Sequence, residues 1–261
     1  MWRNKYELYE DAVQSPDSDI EFIRREYKKI RGKEPLSLRE DFCGTGALLA
    51  DWVKSSKDRT AIGIDLDPEP IFYGLKKHHA ALKPETQKRV RFVQDNVLHA
   101  EQHKAEVICA FNYSYYVFKS RELLLSYFKS VRKSLKHKGL FFLDTFGGTE
   151  AMIESEESRS MGKFSYFWEC ESFNPLTHEC LYAIHFKENK RGAKKHLRVF
   201  TYDWRYWTMP ELKEILLEAG FKKVHLYWEG DDRKGGGNGI FRETLRAENC
   251  ESWISYLVAE S

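Results

Sequence analysis

The spacing of apolar residues along the chain changes character near residue 146. Before that point, short buried runs alternate with helical stretches. Tyr6, Leu8, Tyr9 and Val13 predict a short helix, and Ile20, Ile23, Tyr27 and Ile30 a longer one, opened by a Ser18-x-x-Glu21 capping box. Strand-like runs then occur at Leu36 to Asp41, Thr60 to Asp65, Arg89 to Gln94, Ala105 to Phe111 and Leu140 to Asp144. Between them, Ala47 to Val53, the segment after Asp67-Pro68, and Arg121 to Leu135 carry apolar residues at helical spacing. After Gly147 a charged stretch, Glu150 to Ser160, reads as helical. Three strand-like runs follow with no helix between them: Phe164 to Phe173, Glu179 to Phe186 and His196 to Tyr206. Thr208-Met209-Pro210-Glu211 opens a last helix, closed by Gly220. Lys222 to Tyr227 and Trp253 to Ala259 read as a final hairpin at the sheet edge, with the glycine-rich stretch Arg233 to Gly239 as a loop between them.

Strand-helix alternation calls for a parallel sheet covered on both faces. The expectation is an α/β, doubly wound, mostly parallel, seven-stranded Rossmann-like sheet, interrupted by an inserted antiparallel sheet.

Composition narrows the function classes. The chain has 261 residues, and 42 basic against 40 acidic side chains leave a formal charge of +2, no general footprint for nucleic acid. The five cysteines are an odd number without a C-x-x-C pair, which fits a reducing compartment better than a disulfide framework. His78, His79, His99 and His103 lack neighbouring ligand patterns, so no metal site is expected. No apolar run approaches a membrane span, and the charged N-terminus has no signal core, so a cytoplasmic protein is expected. Aromatic residues reach 15%, enough for core and for a pocket wall.

The candidate chemistry starts at Glu40-Asp41-Phe42-Cys43-Gly44-Thr45-Gly46, where a strand turns on two glycines into a helix. Such a turn exposes backbone N–H groups and lets a ligand approach the main chain. A dinucleotide fingerprint needs a third glycine where Leu49 stands, and there is no phosphate-loop sequence. Asp65 lies 65 − 46 = 19 residues beyond Gly46 and ends the next strand, the place for an acid on ribose hydroxyls. The competing reading, a helix N-cap, is better met by Asp67 before Pro68.

The stretch resembles the first motif of class I S-adenosylmethionine-dependent methyltransferases. Cys43-Gly44-Thr45-Gly46 matches its second half, Glu40 stands where its acid belongs, and Phe42 replaces its first glycine. The resemblance implies S-adenosylmethionine as cofactor, held by Glu40, Phe42, Cys43, Gly44 and Gly46 at the turn and by Asp65 and Leu66 at the ribose. It further implies Asp95 and Asn96 at the adenine, Phe111 and Asn112 beside the reacting methyl, and Tyr9 reaching down from an N-terminal lid. On the same pattern, residues 1–35 form the helical lid segment, 36–146 the cofactor-binding core, 147–206 an inserted substrate lid and 207–261 the rest of the core.

Methyl transfer needs alignment and sometimes removal of a proton. Candidate catalytic groups are Tyr113 and Tyr115 after the fourth strand and His185 on the insertion. Tyr116, Trp204 and Arg205 are candidates for the substrate. The resemblance points to a small-molecule acceptor. An RNA methyltransferase using the basic run Lys187 to Arg198, and an inactive cofactor-binding scaffold, are the alternatives. Oligomeric state is not readable from the chain.

Overall fold

The structure, a computed structural model, describes residues 2–231 and 236–261. Two helices come first. α1 (Lys5–Val13) is capped by Asn4, whose side chain accepts from the Tyr6 amide. α2 (Pro16–Arg31) begins after Ser15 with Pro16 in its first turn and stops on Gly32, at φ 74°. Ser18 therefore lies inside the helix and caps nothing. Proline suits a first turn, where its missing N–H has no helical partner, and this sets the start ahead of the expected box.

The core then follows as β1 (Ser37–Asp41), α3 (Ala47–Lys54), β2 (Thr60–Asp65), α4 (Pro68–Gly74), α5 (Pro84–Gln87), β3 (Val90–Gln94), β4 (Ala105–Ala110), α6 (Arg121–Ser134) and β5 (Leu135–Gly147). These strands pair in parallel in the order β3-β2-β1-β4-β5. The order reverses between β1 and β4, and the crevice outside such a reversal is where open α/β sheets take ligands.

A second sheet is entirely antiparallel: β6 (Ser155–Ser160), β7 (Phe164–Phe173), β8 (Glu179–Glu188) and β9 (Lys195–Arg205). The chain returns through α7 (Met209–Glu218), opened by a complete Thr208/Glu211 capping box. β10 (Lys223–Asp231), β11 (Gly237–Glu243) and β12 (Trp253–Glu260) finish the first sheet. β12 enters antiparallel between β5 and β10, and β11 adds the outer edge.

The expected mostly parallel sheet with its antiparallel insertion is present, with two corrections. The first sheet has eight strands, because Gly237 to Glu243 pairs with β10 instead of forming a loop. Arg233, Lys234 and Gly235 of that expected loop lie outside the described residues. The expected hairpin strands do pair, but β11 and not either of them is the sheet edge. The second correction is Glu150 to Ser160, expected as helix. Its second half is β6, paired with β7 from Ser155↔Cys170 to Ser160↔Ser165. Every residue of β6 is exposed, so it carries no apolar alternation to announce a strand. The backbone of β7 supplies what the sequence lacks.

Side-chain alternation splits the core between two faces. Val107, Cys109, Leu140 and Phe142 face α2 and α3, packing with Phe22, Ile23, Tyr27 and Trp52. Ile108, Ala110, Phe141 and Leu143 face α6 and α7, packing with Leu124, Phe128, Leu212 and Ile215. Each such fully buried Leu or Phe contributes roughly 1.5–3 kcal/mol. A third cluster joins Leu8 and Ala12 of α1 to Phe164, Ile184 and Phe186 of the second sheet. Helix α1 and the second sheet are thus one packed unit above the strand ends. Among the described residues no helix is long and apolar enough to cross a membrane.

Candidate active site

The turn after β1 holds three residues in the left-handed region, Phe42 (φ 59°), Gly44 (φ 51°) and Gly46 (φ 67°). At Gly46 the space requires glycine as well as the backbone, since a Cβ would lie 2.5 Å from the Phe92 ring. A Cβ on Gly44 would meet nothing within 4 Å, so the main chain there is open to a ligand. Phe42 holds a left-handed backbone conformation that ordinarily favours glycine. Its ring packs in the core against Phe118 and Tyr127, 5.8 and 5.7 Å between centroids, and leaves the open side of the turn unfilled. Cys43 is buried beneath.

Acids gather at the carboxyl ends of the strands. Asp65, ending β2, accepts from the Gly44 amide through Oδ2 (2.8 Å) and from the Asp67 amide through Oδ1 (2.9 Å). Asp67 itself caps α4 through the Glu69 amide, as the sequence predicts. Burial pushes the Asp65 carboxyl up, against the lowering effect of those amides. The Asp95 amide bonds the Asp65 carbonyl at 3.0 Å, which places the β3 end beside it. The Asn96 amide is bonded to Asp95 Oδ1 (2.7 Å), and the Asn96 side chain caps the turn that follows. Leu66 is 67% exposed next to Asp65.

Within β1 neighbouring acids differ in their partners. Asp41 is fully paired, with Arg39 at 2.7 and 2.9 Å and with the Tyr127 hydroxyl at 2.9 Å. Glu40, on the other face of the strand, is buried with Oε2 unpartnered. Burial, then Asp19, Asp65 and Asp41, raise its carboxyl well above the usual range. An unpartnered buried oxygen among carboxylates calls for a cationic donor.

A cavity of about 550 Å³ opens between the strand ends and the second sheet. Its floor includes Asp19 from α2, Phe111, Asn112 and Tyr113 after β4, and Asp144 near the end of β5. Its roof is aromatic, with Tyr166 and Trp168 from β7, Tyr182 from β8, and Tyr202 and Trp204 from β9. Tyr9 of α1 also lines it, and its hydroxyl interacts with that of Tyr202. Asn112 and Tyr113 are both left-handed (φ 57°), a conformation that costs residues with side chains about 1–2 kcal/mol each. Asp144 offsets this by accepting from both amides, at 2.8 and 3.0 Å. Burial nevertheless pushes Asp144 up to about 7. Asp19 reaches about 7 for the same reason, against a lowering bond from the Tyr256 hydroxyl.

The structure brings Tyr9, Phe111, Asn112, Tyr113 and Trp204 to the cavity, and Glu40, Phe42, Cys43, Gly44, Gly46, Asp65, Leu66, Asp95 and Asn96 to the neighbouring strand ends. It places four other candidates elsewhere. Tyr115 and Tyr116 are fully buried: the first donates to the Asp144 carbonyl (2.6 Å), the second meets Thr145 Oγ1 (2.7 Å) and the Trp207 carbonyl (2.9 Å). Arg205 stacks over Trp207 at 3.8 Å and donates to the Lys119 carbonyl. His185 alternates with Tyr182 and Ile184, which line the cavity, so it points to the opposite face of its sheet. There it accepts from the Arg198 amide at Nδ1 (2.8 Å), leaving the Nε2 proton for Glu169 (2.6 Å). Glu156 completes a trio with metal-ligand spacing. The protonated Nε2 and the Lys195 ammonium on Glu156 already satisfy it.

Several site residues escaped the sequence reading. Asp144 ends the apolar run Leu140 to Asp144 as Asp65 ends Thr60 to Asp65, so the same signal was available for it. Asp19 had none. Glu10 of α1 is a third: its Oε1 takes bonds from Thr45 Oγ1 of the glycine turn (2.6 Å) and from His78 Nε2 (2.7 Å). It latches α1 onto the turn.

No protein-family model matches the chain, and no curated protein matches it. Solved structures do. A S-adenosylmethionine-dependent methyltransferase from Clostridium acetobutylicum superposes with a TM-score of 0.70 at 16% identity, over 98% of this chain and 96% of that one. The amino pentose methyltransferase of calicheamicin biosynthesis from Micromonospora echinaspora, solved with its S-adenosylmethionine, gives 0.69 at 13% identity over 100% and 98%. A sugar N-methyltransferase from Streptoalloteichus gives 0.63 at 14% identity over 99% and 92%. The chain therefore has the fold of the class I S-adenosylmethionine-dependent methyltransferases.

Proposed function

We propose that the protein is an S-adenosylmethionine-dependent methyltransferase acting on a small molecule held under the inserted sheet. One observation carries this reading. The open Gly44 turn, Asp65, Asp95 and Asn112 converge at the carboxyl ends of β1 to β4, beside a partly open cavity walled by aromatic residues. The residues present fit the cofactor: Gly44 leaves its approach free, Asp65 suits the ribose hydroxyls, Asp95 the adenine amine, and Glu40 has the unpartnered oxygen that an ammonium requires. Bound there, S-adenosylmethionine supplies an electrophilic methyl group on a sulfonium.

In-line displacement asks the protein for orientation and for exclusion of water. Asn112 and Tyr113, held by Asp144, form a rigid floor for the acceptor. α1 and the inserted sheet cover it as a lid, latched by Glu10. The RNA alternative loses support on the lid itself. Lys195, Arg198 and Lys190 of the basic run pair with Glu156, Glu171 and Glu188 of the same sheet. The carboxylates of the cavity also repel a polyanion.

Calorimetric titration with S-adenosylhomocysteine, with NADH as control, tests the reading. Saturable binding of the first alone is expected, weakened by about 1–3 kcal/mol in Asp65→Ala. Absence of binding would remove the enzyme assignment and leave a scaffold with this fold.

A further inference from the structure

His225 lies in β10 with its imidazole buried, 5% exposed, between two carboxylates. Its Nδ1 is 2.7 Å from Glu243 Oε1 of β11, and its Nε2 is 2.8 Å from Glu260 Oε1 of β12. Tyr227 pairs with Glu243 and Lys223 with Glu260, so each acid reaches the ring diagonally, on one face of the sheet. The other charged or titratable groups around it are Glu26, Lys29 and Arg31 from α2, and Lys223 and Tyr227 from β10 itself. Lys29 stands 3.5 Å from both Glu243 and Glu26, and Arg31 stands 2.7 Å from Glu260. Burial works to raise the Glu243 and Glu260 carboxyls, but bonds from His225 and the neighbouring cations hold both below the usual range. Both are therefore ionised and can only accept. One imidazole satisfies the two of them only with a proton on each nitrogen.

With one of those protons gone, a ring lone pair faces a carboxylate oxygen at bonding distance, and one arm has to yield. The arms are unequal. Glu260 is gripped by Arg31 and belongs to β12, which is paired on both edges by β5 and β10. Glu243 belongs to β11, an edge strand paired to β10 alone and exposed along most of its length. The Glu243 arm is the one that yields. β11 is also a wall of the cavity, through Gly239 and Phe241. The Phe241 ring meets Tyr256 edge-on at 4.6 Å and 86°, and the Tyr256 hydroxyl holds Asp19 at 2.9 Å. Whatever frees β11 opens that side of the cavity.

We propose that His225 is a proton-operated clamp on the cavity wall. As an imidazolium it binds β11 to the rest of the sheet; as the neutral ring it releases Glu243 and loosens the wall. The sign follows from the geometry: the clamp is closed at low pH and opens as pH rises through the titration of His225. The inference stands on the fold alone and does not need the methyltransferase reading.

Two measurements on the wild-type chain, between about pH 5 and pH 9, test it. Nitrogen NMR of the imidazole follows the proton on His225. Hydrogen exchange, corrected for the intrinsic rate at each pH, follows β11 and the Thr244 amide, which is bonded to the Leu226 carbonyl. Protection there is expected to fall at least about fivefold as the ring loses its proton, with the same midpoint, while β1 and β4 keep theirs. In Glu243→Gln the side-chain amide can donate to a bare Nδ1 and accept from a protonated one, so β11 should stay protected on both sides of the titration. The inference is overturned if β11 protection is indifferent to the His225 proton. A neutral ring in a fully protected β11, or a pH dependence left intact by Glu243→Gln, overturns it equally.

Discussion

At neutral and higher pH, Asp19 is an acid that the folded protein would be more stable without. Its carboxyl is raised from 3.8 to about 7, chiefly by burial, with the Tyr256 hydroxyl pulling the other way. Glu40 and Asp144 are its charged neighbours, both acids. A carboxyl that holds its proton more tightly in the folded state stabilises that state fully below about pH 4. It loses that contribution as pH rises through about 7. The whole displacement is worth at most about 4 kcal/mol, and roughly half of it survives where water reaches a half-buried group. Asp19→Asn removes the titration, while its amide oxygen can still accept from Tyr256. The variant should therefore gain on the wild type as pH rises, by about 1–3 kcal/mol between pH 5 and pH 8. Urea unfolding of both proteins at the two pH values measures this directly. A variant whose stability relative to wild type is the same at both pH values would show that Asp19 faces water. The reasoning that the fold buries this carboxyl beside the strand ends would then fail.

Two further predictions concern the glycine turn. Glu10→Ala removes the bonds to Thr45 and His78 and should cost about 1–2 kcal/mol, with faster amide exchange in α1; unchanged protection of α1 would mean that the latch is not formed in solution. Gly74→Ala places a Cβ 1.8 Å from the Thr45 carbonyl oxygen. Alanine favours a helix by about 1 kcal/mol over glycine. A loss of more than about 2 kcal/mol, with weaker S-adenosylhomocysteine binding, is expected nonetheless. A stabilised variant would contradict the close approach of α4 to the turn.

What the sequence determined by itself is the parallel core and the place of the cofactor candidates. Val107 and Ile108, or Leu140 and Phe141, take opposite faces because a strand alternates, and both faces are buried under helices. Once β1 to β4 run parallel, Gly44, Asp65, Asp95 and Asn112 must share one edge, whatever the helices between them do. Asp67 and Thr208 announce helix starts through hydrogen bonds made within three residues, so local sequence is enough. Other features lie beyond that reach. β6 and β11 are largely exposed edge strands whose order comes from the backbone of a neighbour, so they show no clear alternation of their own. Alternation also says that His185 opposes Tyr182 and Ile184, but not which face of the inserted sheet looks into the cavity. Packing of Leu8 and Ala12 against Ile184 decides that. Tyr115 and Tyr116 follow the same rule, since only tertiary contacts reveal that their hydroxyls are already satisfied within the fold, and only they place Arg205 over Trp207 with a bond to the Lys119 carbonyl. Asp19 and Glu10 enter the site from helices remote in sequence from the strands they serve. Periodicity records which residues are buried; which buried groups meet is settled by long-range packing alone.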